Sequence, residues 1–199
     1  MHTDRWEPLF ADLEDQFARH REAEHDELAG ETERVRVARL ALVDRLGALR
    51  GAGDIGISTC DGATAHGVVR AVGADWCALR SASGRIDVVP VDAIRGVAVD
   101  AAQARASLAP DGLDPLRRRM TFGIALRALA RRRVRVRAAL RAGTTLTGTI
   151  ARAGADHLDL ALHDADGAPR PREIVGIRIL PVAEIARLAL DPLDERSLV

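Results

Sequence analysis

Gly62–Leu79 reads GATAHGVVRAVGADWCAL, and Gly143–Leu160 reads GTTLTGTIARAGADHLDL. Laid over each other without a gap, they match at Gly62/Gly143, Thr64/Thr145, Gly67/Gly148, Gly73/Gly154, Ala74/Ala155, Asp75/Asp156 and Leu79/Leu160, a constant offset of 81 residues. A tail recurs too: Val89-Pro90-Val91-Asp92-Ala93-Ile94 against Leu180-Pro181-Val182-Ala183-Glu184-Ile185, now offset by 91. The second copy therefore carries ten extra residues between stretch and tail. Such a duplication marks a chain built from two like units.

Around the repeated stretch the apolar period is two. Ile55, Ile57 and Thr59 alternate with Gly56, Ser58 and Cys60; Val136, Ala138 and Leu140 alternate with Arg135, Arg137 and Ala139. That alternation predicts half-buried strands. Asp61-Gly62 and Ala142-Gly143 supply hairpin turns, because glycine accepts positive φ. Gly67 and Gly148 sit inside the next strands, where a strongly bent sheet has no room for a Cβ. The turns Gly73-Ala74-Asp75 and Gly154-Ala155-Asp156 lead to third strands with Cys77, Leu79, Leu158 and Leu160 inward. Fourth strands (Ile86, Val88; Ile177, Ile179), a Pro-led turn and fifth strands (Val97, Val99; Leu188, Leu190) complete each copy.

A helix precedes each set of strands: Leu42, Leu46 and Leu49 before the first, Ile124, Leu126 and Leu129 before the second. This order of helix, strand, turn and Gly-x-Asp turn resembles the Sm-like family, within the wider group of SH3-like barrels, over roughly 50–105 and 132–192. The fold expected is α+β, mainly β: an N-terminal helical segment (1–50), a first small five-stranded barrel (51–105), a linker and helix (106–131), and a second barrel (132–199). Ala101–Asp114, with Pro110 and Gly112, reads as the linker. The resemblance also implies RNA binding, through an Asp and an Asn in one loop and an Arg-Gly pair in another. Asp75 and Asp156 fit the Asp, but the chain contains no Asn, and Ile94-Arg95-Gly96 lies after the Pro90 turn, where the second copy has Ile185-Ala186-Arg187. The residues themselves favour a local role, with Asp75 and Asp156 capping their own turns.

Residues 1–50 read as helix. Trp6, Leu9, Phe10, Leu13 and Phe17 share a face, and Asp4 with Glu7 forms a capping box. Leu28, Val35, Leu42 and Leu49 are seven apart. Two helices joined near Gly30 and one long helix both satisfy the pattern. So do packing on the barrels and a dimer seam, which makes residues 4–49 a candidate surface for self-association or a protein partner.

Composition narrows the function. Cations and anions number 29 each, so no global field selects nucleic acid or an acidic membrane. Every cation is Arg, which reads as codon bias of a GC-rich genome. The start lacks an apolar signal core, and no apolar run approaches a membrane span, so a cytoplasmic chain without membrane attachment is expected. Charge is nonetheless uneven. Residues 1–34 hold eleven acidic residues and four Arg, whereas 101–141 hold eleven Arg and two Asp. Arg117, Arg118, Arg119, Arg131, Arg132, Arg133, Arg135 and Arg137 form the dense part, a candidate strip for RNA or DNA phosphates. A solvated face and a dock for the acidic N-terminal helix are the competing readings. Trp76 and His157 point outward by the alternation; this favours Trp76 packed under a helix, with the pair as candidate ligand contacts the alternative.

Catalytic chemistry finds no support. Cys60 and Cys77 form no CxxC, the six His are scattered, and Asp164-Ala165-Asp166-Gly167 lacks the remaining positions of a calcium loop. No phosphate-binding loop, dinucleotide motif or nucleophile elbow is present. No metal or cofactor is expected. The sequence points to a non-catalytic binding protein, nucleic-acid-binding or regulatory through the Arg strip, or alternatively to an adaptor or homo-oligomeric scaffold.

Overall fold

A computed structural model describes residues 21, 30–109, 115–163 and 174–190. The chain divides after Leu40 into two units. In the first, residues 30–38 are helical (α1), and Glu33 and Arg36 pair at 2.6 Å on an exposed face. Gly30 is helical, and a non-helical stretch falls at 39–41. The expected Asp4 cap, the Trp6–Phe17 face and the Leu28 heptad position lie outside the described residues.

The second unit contains both copies of the repeat. Helix α2 (Leu42–Ala48) is followed by β1 (Asp54–Thr59), β2 (Thr64–Val72), β3 (Trp76–Arg80), β4 (Ile86–Pro90) and β5 (Ile94–Ala98). Then come α3 (Ala101–Ala106), α4 (Phe122–Arg131), β6 (Arg135–Leu140), β7 (Thr145–Ala153), β8 (His157–His163), β9 (Ile174–Pro181) and β10 (Ile185–Leu190). The mainly β character expected from the alternation is present. The closed tandem barrels are not: all ten strands form one open antiparallel sheet in the order β5-β1-β2-β3-β4-β10-β6-β7-β8-β9. The physical reason is a partner choice. The β4 edge of copy one is occupied by β10 of copy two, which pairs Leu188 with Val88, Ala189 with Asp87 and Leu190 with Ile86.

Within the sheet the duplication is geometric as well as textual. A register shift at Val69/Ala71 recurs at Ile150/Arg152, at the 81-residue offset. The Gly73 N–H donates to the Trp76 carbonyl, and Gly154 to His157, both at 2.8 Å. Gly62 and Gly143 turn their hairpins at φ of 82° and 85°. A Cβ on Gly67 would stand 2.4 Å from the Arg80 carbonyl oxygen, and one on Gly148 2.3 Å from that of Ala161. The expectation that these strands have no room for a side chain there is met.

Two buried clusters result. One lies within copy one, where Leu46 and Leu49 pack with Ile55, Ile57, Val69, Cys77, Leu79 and Val89. The other spans both copies: Trp76, Ala78, Ile86 and Val88 join Phe122, Leu126, Leu129, Val136, Ile150 and Leu188. Strands β3 and β4 thus bury both faces, sending alternate residues to alternate cores, as central strands covered on two sides do. The expected linker is partly helical. Asp100 caps α3 by accepting from Gln103 N–H, whose amide returns a bond to the Ala52 carbonyl. Arg45 of α2 donates to Ser107 Oγ at 2.8 and 3.0 Å, tying the two helices together.

Candidate functional site

Polar side chains concentrate at the seam between the two copies. Asp75 does not cap its own turn; its carboxylate accepts the Phe122 N–H at 2.6 Å. It thereby satisfies an orphan donor of α4, whose own Thr121 makes no side-chain cap, and it sets a negative charge at the positive end of the helix. Ala74 N–H and Trp76 Nε1 both donate to the Met120 carbonyl, each at 2.9 Å. Arg141 at the end of β6 pairs with Asp92 after β4 at 2.7 Å. Beneath them Asp87, with no exposed surface, accepts from Arg187 of β10 at 3.0 Å and from Arg85 at 3.3 Å. A cleft of about 440 Å³ opens beside this seam, walled by Asp75, Asp92, Thr121, Arg127 and Val182.

At the other end of the sheet, copy two shows the same positions with no strand beyond β9 among the described residues. Trp76 is 3% exposed and belongs to the buried cluster: it packs under α4, as one sequence reading had it, so its candidate role as a ligand contact is corrected. His157, its repeat mate, is exposed as expected, and its Nδ1 lies 2.8 Å from Asp156 Oδ1. The imidazole beside it holds the Asp156 carboxyl below the usual carboxylate range. Ile177 and Ile179, the mates of buried Ile86 and Val88, are 65% and 66% exposed. The sequence reading placed neither at an open edge; it passed over Asp87 and met Arg187 only as the second copy's departure from the Arg-Gly pair. A charge inside the apolar run Ile86-Asp87-Val88-Val89 was the available signal.

The Arg strip is only partly gathered. Arg131, Arg132 and Arg133 are exposed where α4 ends, and Arg133 takes the left-handed conformation (φ 51°) that terminates the helix. Arg137 is exposed on β6, Arg135 is half-buried, Arg119 is exposed and Arg117 is half-buried. The backbone of Arg118 lies in a single turn with its neighbours. Residues 22–29, the expected acidic cover, and the Asp164–Gly167 turn lie outside the described residues.

The cysteines are chemically unlike. Cys77 is fully buried, and burial pushes its thiol up to about 12; Cys60 is half-buried. Cys60 is expected to react with an aromatic disulfide reagent at pH 8 in the native protein, and Cys77 only after unfolding. Two fast thiols in a native titration would contradict this packing. Among the described residues no group of three His, Cys, Asp or Glu gathers as a metal site. Likewise, no described helix is long and apolar enough to cross a membrane. In comparison with known proteins, the chain matches no family model, no curated protein and no solved structure.

Proposed function

We propose that this chain is a non-catalytic scaffold whose copies join head to tail, β9 of one copy pairing with β5 of the next. The observation that carries the reading is the internal seam. There β4, the mate of β9, is already paired with β10, the mate of β5. Among the described residues β5 and β9 each have a strand on one side only. Carrying the internal register over sets Ile179 opposite Val97, Arg178 opposite Ala98 and Ile177 opposite Val99. Exposed isoleucines thereby meet valines, as cross-strand pairing favours. An edge of this kind recruits another chain unless something blocks it. Because its two surfaces differ, repetition builds a closed ring or an open filament. The Sm-like resemblance agrees with a binding module of this kind.

The test is molar mass in solution, by light scattering behind size exclusion. The expected result is a species heavier than the 21.4 kDa chain. Ile177→Arg with Ile179→Arg should weaken association at least ~10-fold, since each buried isoleucine contributes roughly 1.5–3 kcal/mol. A wild-type monomer at all concentrations would sink the proposal, as would an oligomer indifferent to both substitutions.

A second reading, phosphate contact by RNA or DNA along the Arg strip, is favoured by the exposure of Arg131, Arg132, Arg133 and Arg137. Salt-sensitive oligonucleotide binding that is lost on changing Arg131, Arg132 and Arg133 to Ala is its expected signature.

A further inference from the structure

The outer edges of the sheet carry the charges of the internal seam in reverse. At that seam Asp87 of β4 faces Ala189 of β10, which faces Arg137 of β6. Arg187, two residues along β10 on the same face, holds the Asp87 carboxylate at 3.0 Å, and Arg85 holds it as well. The repeat offsets translate each of these positions to the outer edges. Asp87 becomes Arg178 of β9, and Ala189 becomes Ala98 of β5. The arginines all become glycine: Arg85 becomes Gly176, Arg187 becomes Gly96 and Arg137 becomes Gly56. The backbone register follows the translation. Strand β1 pairs Gly56 with Ala98 and Ser58 with Gly96, just as β6 pairs Arg137 with Ala189 and Ala139 with Arg187.

An acid set among arginines has thus been exchanged for an arginine facing glycines. The β5 edge leaves room for a guanidinium, and a Cβ on Gly96 would meet nothing within 4 Å. The acids of that face are Asp100, two residues beyond Ala98, and Asp54, two residues before Gly56, both exposed. Asp100 gives one carboxylate oxygen to the Gln103 N–H and keeps the other. His66 of β2 lies beyond Gly56 in the row of Ala98. Resting on the head-to-tail pairing proposed above, we infer that Arg178 selects the strand that β9 accepts: the glycine-lined β5 edge of a second copy, with Asp100 and Asp54 as its acidic counterparts. The β10 edge is refused. It carries Arg187, so β9 in the place of β4 would bring two guanidinium groups together, and like charges on one face of a strand pair are destabilising. Strand β4 in the place of β9 fares no better, because Asp87 would be buried beside Gly96 and Asp100 with no arginine to hold it. The apolar contacts do not discriminate. Ile177 and Ile179 would meet Val99 and Val97 at β5, or Leu190 and Leu188 at β10. Only the charged row tells the two edges apart, so β4 takes the β10 of its own chain and β9 takes the β5 of the next.

The full chain would be followed by light scattering behind size exclusion over a range of concentrations, as wild type, Gly96→Arg, Arg178→Asp and the double variant. Each single substitution opposes like charges, Gly96→Arg against Arg178 and Arg178→Asp against Asp100. Each is expected to weaken association at least ~10-fold. The double variant rebuilds the Asp87–Arg187 arrangement at the mated positions and should recover most of that loss. Gly96→Gln adds bulk without charge, and it should weaken association less than Gly96→Arg does. Both positions are exposed in the single chain, so thermal unfolding of the dilute variants should match wild type. Two weakened singles with a restored double uphold the selection. Singles without effect, in an oligomer that Ile177→Arg with Ile179→Arg does dissociate, overturn the role of Arg178 and leave the strand pairing standing. A double variant as weak as its worse parent overturns it too, as does Gly96→Gln matching Gly96→Arg. A wild-type monomer removes the pairing itself, and the selection with it.

Discussion

Replacing Asp87 by alanine is expected to lower the stability of the unit by about 3 kcal/mol or more. The carboxylate is fully buried between the two copies and holds Arg187 at 3.0 Å and Arg85 at 3.3 Å. Arg187 is the vulnerable partner. Its side chain is 18% exposed and its Nε finds no hydrogen bond among the described residues, so losing Asp87 strands a charge that water scarcely reaches. Arg85 is more exposed and relaxes into solvent at less cost. The pair as a whole is a different matter, because taking two charges out of water offsets much of their attraction. Asp87→Leu combined with Arg187→Leu should therefore recover most of the loss. Denaturant unfolding of both variants measures this. A single-variant loss under about 1 kcal/mol, the range of exposed pairs, would mean that Asp87 is solvated and not buried at a seam.

The repeat, its turns and its strands were legible because they are local. Glycine at 62 and 143 answers a positive φ, and glycine at 67 and 148 answers a carbonyl closer than any Cβ tolerates. The partner of an edge strand is not local. Nothing in Ile86–Pro90 states that its neighbour lies about a hundred residues on, so two closed barrels were expected where one open sheet forms. The period-two rule did turn Trp76 away from the first core, where a helix covers it; that the second copy covers the same face was not local information. The two copies do differ in a readable way. Trp76 and Ala78 occupy positions that are His157 and Asp159 in copy two, as a covered face and an open face require. The same comparison sets buried Ile86 and Val88 against exposed Ile177 and Ile179, where apolar character persists without cover. In the linker, Asp100 with Gln103 three residues on was a capping box in plain view, and it announced α3.

Trp76→Ala should cost about 3–5 kcal/mol, the range for emptying a buried aromatic site. The indole lies in the cluster shared with Phe122, Leu126 and Val136, and its Nε1 donates to the Met120 carbonyl at 2.9 Å. Collapse around the gap is restricted, because the ring sits between a β strand and the start of α4. Gly73 approaches so closely that a Cβ there would lie 2.2 Å from Nε1. Part of the loss is polar: the Met120 oxygen would retain the Ala74 N–H alone. Trp76→Phe separates the two contributions, keeping most of the ring and losing the donor, for about 1 kcal/mol from the bond and somewhat more from the smaller volume. His157→Ala is the matched comparison at the other end of the sheet. That side chain is half exposed and, among the described residues, pairs with a solvated Asp156, so its removal should change stability by less than about 0.5 kcal/mol. Similar losses at 76 and 157 would mean that the two repeat positions share one environment, and would remove the distinction between a mated seam and a free edge. A large gap between them, measured in dilute monomer, would locate the difference between the copies in what covers each one.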